Sequence, residues 1–272
     1  MQRFHVGLLR ALGFAVLAAG SASAAFGPTS TLYVMNYGEY SGGTVVGLDQ
    51  FQGVGFSSSP TGNGVDICIG VAGGDVRTMG YSGADSGSRF NLAGSPLVGG
   101  PYTNTIAASQ LHDGTSDGFY NYSVKYSTGD VLQFDRNWAS PTVLFNAWGT
   151  LPDAGWITMN ATDGSFWLSE WGGPDRVEHR SSTGTLISSF NTGITGAAGL
   201  ALDPVDGTLW TSDGTSTLYQ FSQAGVLLQS ASYSMSGSFY GMEFETTTAP
   251  EPTTFSALLI GAMALMRRRR SR

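Results

Sequence analysis

The chain has 272 residues, 39 of them glycine and one cysteine, and only 12% of its side chains are charged. So much glycine beside so little lysine and glutamate excludes a mainly helical protein, and one cysteine excludes an intrachain disulfide. The net charge of −7 conceals a partition: residues 25–250 carry six basic against 19 acidic residues, a net charge near −13. A body that acidic repels phosphate backbones, which excludes nucleic acid as a partner.

Residues 1–24 read as a secretory signal peptide. Arg3 and Arg10 supply positive charge, and the apolar run from Ala11 to Ala19 is too short to be a comfortable membrane span. Ala22 and Ala24 form the small-x-small pattern with Ser23 between them, placing cleavage after Ala24. The expected partner at this end is the Sec export machinery.

Strand-like segments follow from residue 25 to 245. Thr31–Met35 pairs in pattern with Thr44–Asp49, and Val65–Ile69 with Asp75–Met79. Cys68 sits in the third of these and reads as a small buried hydrophobe. The segment Leu111-His112-Asp113-Gly114-Thr115-Ser116-Asp117-Gly118 contains two Asp-Gly steps and reads as a turn.

Beyond residue 150 the chain repeats. Trp156-Ile157-Thr158-Met159, then Asp163-Gly164-Ser165-Phe166-Trp167-Leu168-Ser169, is answered by Leu200-Ala201-Leu202, then Asp206-Gly207-Thr208-Leu209-Trp210-Thr211-Ser212. Trp167 and Trp210 stand 43 residues apart. Short alternating runs around Asp-Gly turns give four strands per unit, the size of one propeller blade. The pattern resembles NHL-type propeller repeats. The expectation is all-β: a single five- or six-bladed β-propeller, with a β-sandwich as the alternative. Ser238–Phe244 stands by itself as a strand that would complete the first blade and close the ring.

Candidate chemistry gathers around one loop. Glu170, Trp171 and Asp175, with Glu178 and His179, flank Gly172-Gly173-Pro174. Trp171 is the best candidate for an exposed ring that stacks on a sugar; most other tryptophans read as blade core. Carboxylates there would suit a divalent cation, but Glu178 and His179 are adjacent on a strand and point to opposite faces. The group reads as a solvated turn. No catalytic set, metal-ligand set or cofactor motif is assigned.

Residues 246–249 form a polar linker into Pro250-Glu251-Pro252, a short apolar stretch from Thr253 to Met266, and arginines at 267, 268, 269 and 270. Fourteen helical residues cover about 21 Å, short of the roughly 30 Å hydrocarbon core. Arg267, Arg268, Arg269 and Arg270 would act as a stop-transfer block. Residues 250–272 resemble the PEP-CTERM sorting signal of Gram-negative bacteria. That resemblance implies an exosortase as partner, processing near Pro250, Glu251 and Pro252, and transient membrane contact through the helix. It further implies release to the cell surface or extracellular matrix, with a link to exopolysaccharide and biofilm. An ordinary tail anchor is the other reading. The expectation is a non-enzymatic binding or structural propeller; the alternative is a secreted, divalent-cation-dependent propeller hydrolase or lyase.

Overall fold

The computed structural model describes residues 28, 30–37, 44–48, 54–58, 66–81, 86–100, 102–103, 111–171 and 175–246. The leader with Ala22 and Ala24, the linker residues 247–249 and Gly172-Gly173-Pro174 lie outside them. So does the tail with Pro250, Glu251, Pro252, the apolar stretch and the four arginines.

The described residues form strands and turns, with no helix among them. In chain order the strands are β1 (Leu32–Tyr37), β2 (Thr44–Leu48), β3 (Val54–Ser58), β4 (Asp66–Ala72), β5 (Asp75–Gly80), β6 (Ser86–Gly87), β7 (Arg89–Asn91) and β8 (Tyr102–Thr103). There follow β9 (Leu111–Ser116), β10 (Tyr120–Lys125), β11 (Asp130–Asp135), β12 (Thr142–Asn146), β13 (Ala154–Asn160), β14 (Ser165–Glu170), β15 (Arg176–Arg180) and β16 (Leu186–Asn191). The last are β17 (Ala198–Leu202), β18 (Leu209–Ser212), β19 (Thr217–Phe221), β20 (Leu227–Ser232) and β21 (Ser238–Phe244).

Hydrogen bonding sorts these into five antiparallel units. They are β21-β1-β2-β3, β4-β5-β7 with the short β6-β8 pair beside it, β9 to β12, β13 to β16, and β17 to β20. The body is a five-bladed β-propeller. The innermost strands are β21, β4, β9, β13 and β17. Closure is by β21, which pairs antiparallel with β1 from Leu32↔Phe244 to Tyr37↔Ser238, with one irregularity. The two ends of the body thus share one blade, as the isolated Ser238–Phe244 pattern foretold.

Strand alternation explains the packing. Successive side chains point to opposite faces, so each strand feeds two neighbouring cores. Phe166 and Leu168 of β14 face blade three, packing with Val124 and Val131. Trp167 between them faces blade five, packing with Leu209 and Phe221. Five such cores fill the gaps between blades. Trp138, Trp156, Trp167 and Trp210 are buried in them, and each large ring supplies much of the apolar burial at its interface. Cys68 is buried in the core between blades two and three.

At the axis the inner strands crowd closely. A Cβ on Gly199 would lie 1.8 Å from the Tyr240 carbonyl oxygen, and one on Gly241 would lie 1.9 Å from that of Ile67. Glycine is required at both positions because no side chain fits.

The segment expected as a double turn is instead mostly strand. Leu111–Ser116 is the inner strand β9, buried throughout, and only Asp117-Gly118 turns. Asp113 explains the difference. Its Oδ1 accepts the amides of Gly114 at 2.8 Å and Met242 at 3.1 Å. Its Oδ2 accepts those of Ile157 at 3.1 Å and Leu200 at 3.0 Å. One carboxyl thereby ties the inner strands of four blades together. Amides supplied by distant strands outweigh the local turn preference of Asp-Gly. Burial still pushes the Asp113 carboxyl well above the usual range, against the pull of those amides.

Candidate functional site

The inner strands begin, and the second strand of each blade ends, at the same end of the axis. Four second strands finish on an aromatic residue: Tyr37 ends β1, while Tyr81, Tyr126 and Trp171 directly follow β5, β10 and β14. Blade five has Asp213 at the matching place. With Tyr240 of β21 these rings wall a cavity of about 350 Å³, floored by Ile67 and His112. That volume is at the lower end of the usual range for small-molecule sites, roughly 300–1,000 Å³.

The rings form a continuous set. His112 stacks on Tyr126 at 4.9 Å and 7°, and meets Trp171 edge-on at 4.9 Å and 63°. Trp171 lies parallel to Tyr240 at 5.8 Å and 9°. Tyr37 stands nearly perpendicular to Tyr240, at 83°. The Trp171 backbone is fixed by its amide donating to the Asp153 carbonyl at 2.9 Å.

His112 is 5% exposed, and its Nδ1 has no hydrogen-bond partner among the described residues. Burial lowers its pKa to about 4, so at neutral pH the imidazole is uncharged. Burial also raises the phenols of Tyr126 and Tyr240; at Tyr126 the charge of Asp153 adds to the effect. Among the described residues no arginine or lysine lines the cavity. The described lining offers ring faces, phenol hydroxyls, the Trp171 indole N–H and one neutral imidazole.

The structure separates the residues that the sequence grouped. Trp171 is half-buried in the wall of the cup. Glu170 and Asp175 are 5% and 3% exposed and do not line it. Asp175 Oδ1 accepts the Ala197 amide at 3.3 Å, and burial raises both carboxyls. Glu178 is buried between Arg176, at 3.0 Å, and Arg180, at 2.5 Å. His179 stacks flat on Trp167 at 4.1 Å, its Nε2 2.8 Å from the Ser165 hydroxyl. Buried carboxylates held by backbone and arginine therefore replace the expected solvated turn. Trp148, 40% exposed, lies outside the cup.

Tyr37, Tyr81, Tyr126 and Tyr240 were not singled out from the sequence. A signal was present: Tyr37, Tyr81, Tyr126 and Trp171 follow one another at intervals of 44, 45 and 45 residues. That is one blade length, so the same blade position recurs.

No family model matches the chain, and no curated protein matches it. Solved structures do. A chain of a nidogen/laminin complex aligns with a TM-score of 0.52 and 13% identity, over 79% of this chain and 97% of that one. A protein of unknown function from Bacteroides thetaiotaomicron VPI-5482 aligns with a TM-score of 0.51 and 12% identity, over 80% of this chain and 64% of its own length. The shared feature is the propeller fold. A shared fold does not carry function.

Proposed function

We propose that this chain is an exported, non-enzymatic binding propeller, presented at the cell surface or in the extracellular matrix. The observation that carries the binding half is the axial cup, in which one aromatic residue per blade converges from four blades and β21 adds a fifth. A concave, mostly apolar site with few polar groups is the usual form of a ligand pocket. The non-enzymatic reading is supported by the state of the carboxylates near the loop before β15. Glu170 and Asp175 are buried away from the cup, and Glu178 is held by two arginines. His112 is surrounded by rings, with no described carboxylate bonded to its imidazole.

The sorting half rests on the sequence of the two ends. A leader cleaved after Ala24 and a tail processed at Pro250-Glu251-Pro252 by an exosortase would deliver the propeller outward, where matrix exopolysaccharide is the expected surrounding. Intact-mass analysis of the protein recovered from the native host's envelope and medium tests this half. A mass lacking the leader and everything beyond Pro252 is expected. A mass retaining residues 253–272 would overturn release and leave a membrane-held propeller. Retention in the matrix fraction, compared between the native chain and Trp171→Ala, tests the binding half; equal retention would count against the cup.

A further inference from the structure

We propose that the axial cup recognises a methylated ammonium cation of the choline type. The inference rests on the cup being the binding face and names what it takes. Three observations carry it.

The first is the angle between walls. Tyr37 meets Tyr240 at 83°, and Tyr126 meets Trp171 at 68° with 6.3 Å between centroids. Rings set near right angles make a box that surrounds a compact, rounded guest on several sides. A sugar is held on a flat ring face with several hydrogen-bonding side chains beside it, and the walls formed by the described residues offer only phenol hydroxyls and the Trp171 indole N–H as polar groups. The negative faces of Tyr and Trp rings attract a cation placed within about 6 Å of their centroids, and such boxes suit quaternary ammonium groups.

The second is charge. Residues 25–250 carry 19 acidic against six basic residues, and no basic residue is among the described residues that line the cup. Asp153 acts on Tyr126, and blade five places Asp213 where the other blades place a ring. An anionic guest would meet no counter-charge. A cation is drawn in by the field of the whole body.

The third is the floor. His112 is buried and faces four rings. Being uncharged at neutral pH, it adds an aromatic floor that does not repel a cation.

The test uses the full chain in a polyoxyethylene detergent, which brings neither sugar nor ammonium, with calorimetry and tryptophan fluorescence as readouts. Choline is titrated beside its uncharged isostere, in which a tert-butyl group replaces trimethylammonium, and beside glucose and N-acetylglucosamine. The expected result is saturable binding of choline, weaker by about tenfold or more for the isostere. It is lost in Trp171→Ala and, independently, in Tyr126→Leu, whose ring belongs to none of the five blade cores. Equal binding of choline and the isostere overturns the cation assignment. Trp171-dependent binding of sugars but not choline also overturns it, while the cup stands as a binding face. No Trp171-dependent binding of any probe brings down both. Phosphatidylcholine vesicles separate the sources: vesicle binding displaced by choline assigns a lipid head group, and choline binding without vesicle binding assigns a free small cation. Either result supports the ammonium chemistry.

Discussion

The Asp113 carboxylate accepts the amide of Leu200 at 3.0 Å, although 87 residues separate the two in the chain. The same side chain reaches Gly114, Ile157 and Met242, so four blades meet at one buried acid. Asp113→Asn keeps the shape but replaces one acceptor oxygen by a donor facing two amides. It should destabilise the fold by about 3–5 kcal/mol, the scale for orphaning buried groups of this kind. Urea unfolding of variant and native chain measures it; a loss below about 1 kcal/mol would mean the amides find other acceptors.

His112 gives a pH signature. Its pKa is about 4 in the fold against 6.5 for the free side chain, because burial penalises the charged form. As pH falls, the unfolded chain takes up this proton first. The stability from neutral His112 is therefore whole above 6.5 and is lost between 6.5 and about 4, up to roughly 3 kcal/mol. Asp113 and Glu243 run the other way, since burial raises both: their contribution is whole below the ordinary carboxyl range and declines as pH rises. The difference between native and His112→Phe stability across pH 4 to 6.5 isolates the histidine, and a flat difference would contradict its burial.

Glu178 tests structure against chemistry. It has no exposed surface and pairs with Arg176 and Arg180, while Thr150 donates to Oε2 at 3.1 Å. Glu178→Ala strands two cations and should cost about 3–5 kcal/mol. Ligand binding by the remaining folded protein should be unchanged, because Glu178 does not line the cup. Reduced affinity at unchanged stability would reverse that assignment.

Ring closure can be cut at one strand. A chain ending at Gly237 lacks β21 and leaves β1 without its inner partner. Its urea transition should broaden, with a smaller m-value, because less surface is buried cooperatively. A chain ending at Thr246 keeps β21 and the bonds from Thr246 to the Val71 carbonyl, so its transition should match that of the native chain. Equal cooperativity in both truncations would show that β21 is dispensable.

Repetition was legible because a propeller blade is a local object. Asp163-Gly164 and Asp206-Gly207 mark hairpins, Trp167 and Trp210 mark the same core position 43 residues apart, and neighbouring strands pair through short turns. Alternation alone was enough to place β13 to β20, and the unpaired pattern at Ser238–Phe244 pointed to closure. Even the ring positions of the cup lay in the same period, at Tyr37, Tyr81, Tyr126 and Trp171.

Only the tertiary structure decided blade number, the fate of His112-Asp113-Gly114 and the location of the site. Local chemistry favours a turn at Asp113, and nothing near it in the chain supplies the amides of Ile157, Leu200 and Met242. Glu170 sits next to Trp171 in sequence, yet strand alternation turns the two to opposite faces, one into a blade interface and one into the cup. Sequence determines what each blade contains. The axis, where residues tens of positions apart share one small volume, exists only once five blades have closed around it.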